Sequence, residues 1–215
     1  MEIVSVNVGL PREVVWKNMT VQTAIFKEPV QGNVSIGKLN LAGDRQADLS
    51  VHGGADKAVY GYPYEHYEFW QTQLGMKLSG GNFGENLTTA GLSENDLFIG
   101  DRLKAGSAEL TVTQPRLPCY KLGIRFGRDD IIKRFLASRR CGFYFSVAEE
   151  GEVAGGAKIE ILSRDPERVT VVDIVDLFLS ETPDAKVLER ALRVAALPAM
   201  WKTALAERVS RRLVH

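Results

Sequence analysis

Cysteine is nearly absent from this chain: Cys119 and Cys141 are the only two, and neither belongs to a CxxC pair. That removes a disulfide framework and leaves no sequence case for a zinc site. Histidine is as scarce, and His52, His66 and His215 are too scattered to suggest a His-based metal cage. No apolar run approaches the roughly 20 residues that a membrane-spanning helix needs. The opening MEIVSVNVGLPREVVWK lacks the basic and long apolar regions of a signal peptide. The expectation is a reduced, cytoplasmic protein that engages no membrane. Long basic tails are missing too, and 27 basic residues balance 27 acids, which argues against nucleic-acid binding, where phosphate neutralisation dominates. There is no Walker A loop, and no GxGxxG opens a helix after a strand.

What remains is an ordinary globular composition, 45% apolar and 25% charged, which makes disorder, a collagen-like chain and a coiled coil poor descriptions. The 215 residues suffice for one well-filled domain, or a main domain with a small appendage. Residues 1–163 read as short strands with glycine-containing turns: EIVSVNVG, TAIFKEPV, NVSIGKLNL, a hairpin bending at Ala105-Gly106-Ser107, and another turning at Glu149 to Glu152. Such a pattern favours a barrel or sandwich. Two helices interrupt it. PYEHYEFWQTQL can place Tyr67, Trp70 and Leu74 on one face, and Asp129-Asp130 precede IIKRFLASRR, acids first and bases last as the helix dipole prefers. Residues 164–215 read as three helices, although the β-branched VTVVDIVDLFLSE would also suit a strand. Thr182 and Pro183 offer an N-cap and first-turn start for the second helix, and Trp201, Leu205 and Val209 recur along the third.

Three stretches carry the chemistry. In GDRQADLSVHGGADKAVYGYP, Gly53-Gly54 permits positive φ and close approach of an anion to the backbone, or is merely a turn. In GGNFGENLTTAGL, Asn86 can hydrogen-bond a heteroaromatic ring or cap a strand, and Glu85 can pair with a nearby lysine. VTQPRLPCYKL sets Cys119 between stiffening prolines, with Arg116 and Lys121 beside it. A thiolate is the nucleophile and metal ligand, and neighbouring positive charge lowers a thiol's pKa from about 8.5. Cys141, at the start of CGFYFSV, reads instead as a small core residue. From Pro115 to Arg140 there are eight basic residues against two acids, which suits a local anion site or, past Arg125, a solvated helix face.

Taken together and in order, these stretches resemble the MOSC domain family, named for the C-terminal domain of molybdenum cofactor sulfurase. Within it the chain is similar, over nearly its whole length, to the bacterial branch associated with resistance to 6-N-hydroxylaminopurine. The resemblance implies a mainly β fold with α: an irregular β-barrel over 1–163, followed by a three-helix domain over 164–215. It implies a molybdenum cofactor (molybdopterin) and reduction of N-hydroxylated compounds, including base analogues, to amines. By the QPRLPC match, Cys119 would be the thiolate ligand to molybdenum, a soft donor for a metal already bound by dithiolene sulfur. Arg116, Lys121, Gly53, Gly54 and Lys57 would receive the pterin phosphate, and Asn86, Glu85 and His52 would belong to the pocket. His52 or Asp44 could relay protons. The N-hydroxy oxygen would pass to reduced metal and leave as water.

No flavin or nicotinamide motif occurs, so the electrons would come from a separate flavin or iron-sulfur reductase. The small-molecule substrate would be N-hydroxylated, and a homodimer is allowed. Where related domains often show Gly-Asp after the late hairpin, this chain has Gly155-Gly156, which would alter one contact. Two other classes compete: a sulfur carrier or cofactor-binding module holding a persulfide on Cys119, and a thiol-dependent hydrolase, for which no base with an orienting partner is visible.

Overall fold

The computed structural model describes residues 1–47 and 53–212. Among these, the strands are β1 (Glu2–Val8), β2 (Arg12–Trp16), β3 (Met19–Thr23), β4 (Glu28–Val30), β5 (Val34–Ile36), β6 (Val59–Pro63), β7 (Leu87–Ala90), β8 (Arg102–Ala105), β9 (Ala108–Pro115), β10 (Phe143–Glu149), β11 (Gly151–Val153) and β12 (Ile159–Ser163). The helices are α1 (His66–Leu74), α2 (Tyr120–Phe126), α3 (Ile131–Ser138), α4 (Val171–Leu179), α5 (Ala185–Arg193) and α6 (Ala199–Arg212).

Eight strands form one sheet in the order β12-β8-β9-β10-β6-β7-β1-β4, antiparallel except for the β6–β7 pair. The fold is mixed α/β, and the expected barrel is not closed. Ile3 N reaches Ala157 O at 2.8 Å, Ile159 N reaches Met1 O at 2.9 Å, and Glu2 bridges Lys158. The contact remains an isolated bridge and does not extend into a ladder. The hairpin at Gly106-Ser107 forms as expected, with Ala105 opposite Ala108. The turn at 149–152 does not close a second hairpin: β11 leaves β10 and pairs with β5.

The strand β6 (VYGYP) lies at the centre and is buried along its whole length. A Cβ on Gly61 would stand 2.7 Å from the Phe143 ring, so only glycine lets β6 and β10 approach this closely. Behind β6, Tyr62 stacks on Phe83 with centroids 4.4 Å apart, and Trp70 from α1 stacks on Phe135 from α3 at 5.7 Å. Each such aromatic, fully buried, stabilises the fold by roughly 2–3 kcal/mol.

The stretch 169–181 that would also have suited a strand carries helix α4. Thr170 and Asp173 form a reciprocal capping box, and Val171, Ile174, Val175 and Leu177 are buried. The cap of α5 is Asp184, whose side chain accepts from Lys186 N and Val187 N, rather than Thr182. One buried apolar cluster runs from Ile3 to Leu205, so the three helices complete the core of the sheet. We propose 163–164 as the boundary between two parts that share that core.

Candidate functional site

The strand β9 is buried over its last four residues and delivers Pro115 to the rim of a cleft. The chain then runs through Arg116 and Leu117 to Cys119, which caps the start of α2 in extended conformation (φ −117°). Sequence reading missed this short helix. Opposite stand the segment 23–27, the loop carrying Arg45 to Ala47, and the loop before β7 with Phe83, Gly84 and Asn86. These segments frame a cleft that is open at its mouth. Cys119, Arg116, Lys121, Asn86 and Lys57, all singled out in the sequence, line this one cleft.

Arg116 is the electrostatic centre of the wall. It is only 6% exposed, its guanidinium carbon lies 5.3 Å from the Tyr60 ring and 5.2 Å from the Phe135 ring, and its Nη1 has no hydrogen-bond partner among the described residues. Burying a donor of a charged group without an acceptor costs at least about 1–3 kcal/mol. A fold tolerates that most readily where a ligand supplies the acceptor. Burial drives the Tyr60 and Tyr144 hydroxyls above their ordinary range, so both stay neutral beside it.

Lys27 is a second cation of the wall, and the sequence reading did not single it out. It forms a buried ion pair with Asp44, whose carboxylate also accepts from Gly9 N at 2.9 Å and Asn86 Nδ2 at 2.8 Å. Burial pulls the Lys27 ammonium below its ordinary value, and Asp44 opposes that pull. Asn86 in turn accepts from Tyr60 N at 3.1 Å, so one amide ties β6 to the Asp44 loop. Lys57 is likewise pulled down, chiefly by partial burial. Arg45 and Gln46, also unanticipated, complete the wall.

Other expected site residues lie elsewhere. Glu85 is sealed (0% exposed) behind the wall, where it accepts from the Tyr67 and Thr88 hydroxyls, from Gly81 N at 2.8 Å and from Phe83 N at 3.0 Å, and pairs with no lysine. Gly54 has positive φ (100°), as expected for the paired glycines, and its carbonyl holds the turn Ala55–Lys57, but neither Gly53 nor Gly54 lines the cleft. His52 falls outside the described residues. Gly156 (φ 84°) donates to Ile3 O at the sheet edge, away from the cleft. Cys141 is buried, and burial pushes its thiol up, in keeping with a core role.

Residues 48–160 match the MOSC domain family. Over 211 residues the chain is 39% identical to YflK, an uncharacterized protein of Bacillus subtilis (strain 168), covering 98% of this chain and 96% of that one. The crystal structure of YiiM from Geobacillus stearothermophilus superposes with a TM-score of 0.81 at 33% identity, over 97% of this chain and 98% of that one. A Gibberella moniliformis (strain M3125 / FGSC 7600) protein named reductase is 32% identical over 72% of this chain but only 28% of its own length. The chain belongs to the MOSC domain family, in the branch that includes YiiM.

Proposed function

We propose that this MOSC-family enzyme is a molybdenum-cofactor-dependent reductase of N-hydroxylated small molecules. The observation that carries the reading is the convergence, in one cleft, of a single thiol with Arg116, Lys27, Lys57, Lys121 and Arg45. Among the described residues no group of three His, Cys, Asp or Glu could hold a metal ion. One soft sulfur donor amid cations therefore suits a metal that arrives with its own sulfur ligands on an anionic, phosphate-bearing carrier. The orphaned Nη1 of Arg116 is a donor awaiting such an anion. The partly exposed ring of Tyr144 also borders the cleft.

In this reading Cys119 ligates the metal, Arg116, Lys57 and Lys121 hold the anionic part, and Asn86 and Asp44 fix the wall and the Lys27 cation. When bound, the cofactor supplies two-electron redox chemistry. The balance is R–NHOH plus two electrons and two protons giving R–NH2 and water, with the electrons from a separate flavin or iron-sulfur protein. Lys27, which lines the cleft and is paired with Asp44 behind it, carries a proton at the wall. The name of the fungal relative supports a reductase, and no described helix is long and apolar enough to cross a membrane.

The test is metal analysis of protein made in cofactor-competent cells, together with anaerobic reduction of 6-N-hydroxylaminopurine by a chemical electron donor. About one molybdenum per chain with turnover is expected. Metal-free protein carrying sulfane sulfur on Cys119 would replace this reading with a sulfur carrier.

A further inference from the structure

The ladder between β9 and β10 slips at one point: Phe145 pairs with Val112 and Tyr144 with Gln114, which leaves Thr113 as an extra residue in β9. Such a bulge re-aims side chains, and bulges cluster beside functional sites. Here two successive side chains converge on one acceptor. Thr113 Oγ1 donates to the carbonyl of Asp56 at 2.7 Å, and Gln114 Nε2 donates to the same carbonyl at 3.3 Å. Asp56 is the middle residue of the turn Ala55–Lys57, which presents Lys57 to the cleft. The other end of the Gln114 amide, Oε1, accepts from Trp201 Nε1 at 2.5 Å. Trp201 belongs to α6, is 6% exposed, and is set by an edge-to-face contact with Phe178 of α4 at 5.5 Å. Gln114 is 1% exposed and stands two residues before Arg116.

A buried amide whose two ends are both spoken for has a single orientation, since each flip would leave a donor facing a donor. We propose that the C-terminal helices act as a brace for the cleft: Trp201 fixes the Gln114 amide, and Gln114, with Thr113, fixes the Lys57 turn relative to the strand that delivers Arg116 and Cys119. Gln114 and Trp201 are thus positioning residues. This gives α4 to α6 a role within the site, independent of any partner. It deepens the cofactor reading of the cleft, but its geometry and its first readouts do not require a cofactor.

The test uses full-length protein purified without cofactor. Trp201→Phe keeps an aromatic side chain but removes the indole N–H and some buried ring volume; Gln114→Leu with Trp201→Phe removes both polar partners, which restores the part of the stability lost to an unpaired amide. Stability, amide exchange in a peptide spanning 53–59, and the alkylation rate of Cys119 are measured for each. Trp201→Phe alone is expected to lower stability and to raise exchange and alkylation roughly fivefold, the order by which one buried hydrogen bond shifts a local opening. In the double variant stability is expected to recover in part while exchange and alkylation stay high, because Gln114 no longer reaches Asp56 and only Thr113 Oγ1 holds that carbonyl. Exchange and alkylation that return to parental values along with stability would overturn the proposal and leave the pair a mere packing element. Molybdenum content of the same variants from cofactor-competent cells then reads the consequence for the site. If the parent itself holds no molybdenum, the cofactor reading fails while the brace is still decided by the metal-free measurements.

Discussion

Asp44 and Glu85 are both sealed acids of the same sheet region, and their surroundings divide the molecule in two. Asp44 does not itself line the cleft but stands behind two residues that do, pairing with the cation Lys27 and holding Asn86. Glu85, one residue before Asn86, faces the closed side, where every donor to it is neutral: two hydroxyls and two backbone N–H groups of the glycine loop. The two acids lie in different loops, and the neighbours Glu85 and Asn86 bond to opposite sides: Asn86 to Asp44, Glu85 to the loop 81–83. On the cleft side, charge is concentrated and held ready for a ligand. Behind it, Glu85 organises the loop that carries Phe83 and Gly84.

The two cysteines give the sharpest contrast. Cys119→Ser is expected to leave thermal stability unchanged and to cut bound molybdenum and N-hydroxy reduction by more than about 100-fold, since a hydroxyl is a poor soft-metal ligand. Cys141→Ser should do the reverse, losing about 1–3 kcal/mol because it buries a hydroxyl without an assured partner, with turnover per folded molecule retained. Metal content and denaturation curves on both variants decide it; a Cys119→Ser protein that keeps its metal would erase the distinction.

The ion pair comes next. Asp44→Asn leaves Lys27 as a buried charge without its counterion and should cost about 3–5 kcal/mol. Adding Lys27→Met to that variant should recover part of the loss in urea unfolding, while leaving the cleft short of a cation. Equal stability of the single and double variants would mean that Lys27 is not held as a charge. Arg116→Met is expected to be milder: it gives up the contacts with the Tyr60 and Phe135 rings and the Tyr144 hydrogen bond but also removes the unsatisfied Nη1, so stability should change by no more than about 1 kcal/mol, yet cofactor retention should weaken about tenfold, the worth of one charge-assisted hydrogen bond. A clear fall in melting temperature would assign Arg116 to the scaffold.

How much of this was legible in the chain follows the same division. QPRLPC announced Cys119 and Arg116 because proline and charge around a lone thiol make a local pattern. Asn86, Lys57 and Lys121 could be picked from their motifs, but their meeting in one cleft is a product of tertiary folding. Lys27 escaped notice because one lysine in a strand-like run has no signature; its value comes from Asp44, 17 residues away in sequence. Glu85 was misplaced because spacing within FGEN does not say which neighbour of a strand faces which side until the strand is packed. The hairpin at Gly106-Ser107 was readable from two residues, whereas β11 turns to β5 for reasons that no local turn contains. Barrel closure failed the same way, since the contact between Glu2 and Lys158 stays an isolated bridge. The Trp201–Gln114 bond joins residues 87 apart and had no sequence trace at all.

The smallest effect tests the closed side. Burial raises the Glu85 carboxyl above its ordinary value, against the hydrogen bonds from Tyr67 and the backbone that favour its ionised form. The unfolded chain releases this proton near pH 4.5, whereas the folded chain keeps it to higher pH, so between those points the folded state binds more protons. Stability contributed by this group is therefore fully present below pH 4.5 and is lost as pH rises through the folded value, the reverse of a carboxylate held by a cation. Glu85→Gln abolishes that dependence, and all other titrating groups are common to both proteins. The stability difference, parent minus variant, measured by urea unfolding from pH 4 to 8, should fall with pH by no more than about 1.4 kcal/mol per unit and then level off. A difference that grows with pH would show that Glu85 is stabilised as an anion, and would erase the electrical contrast with Asp44.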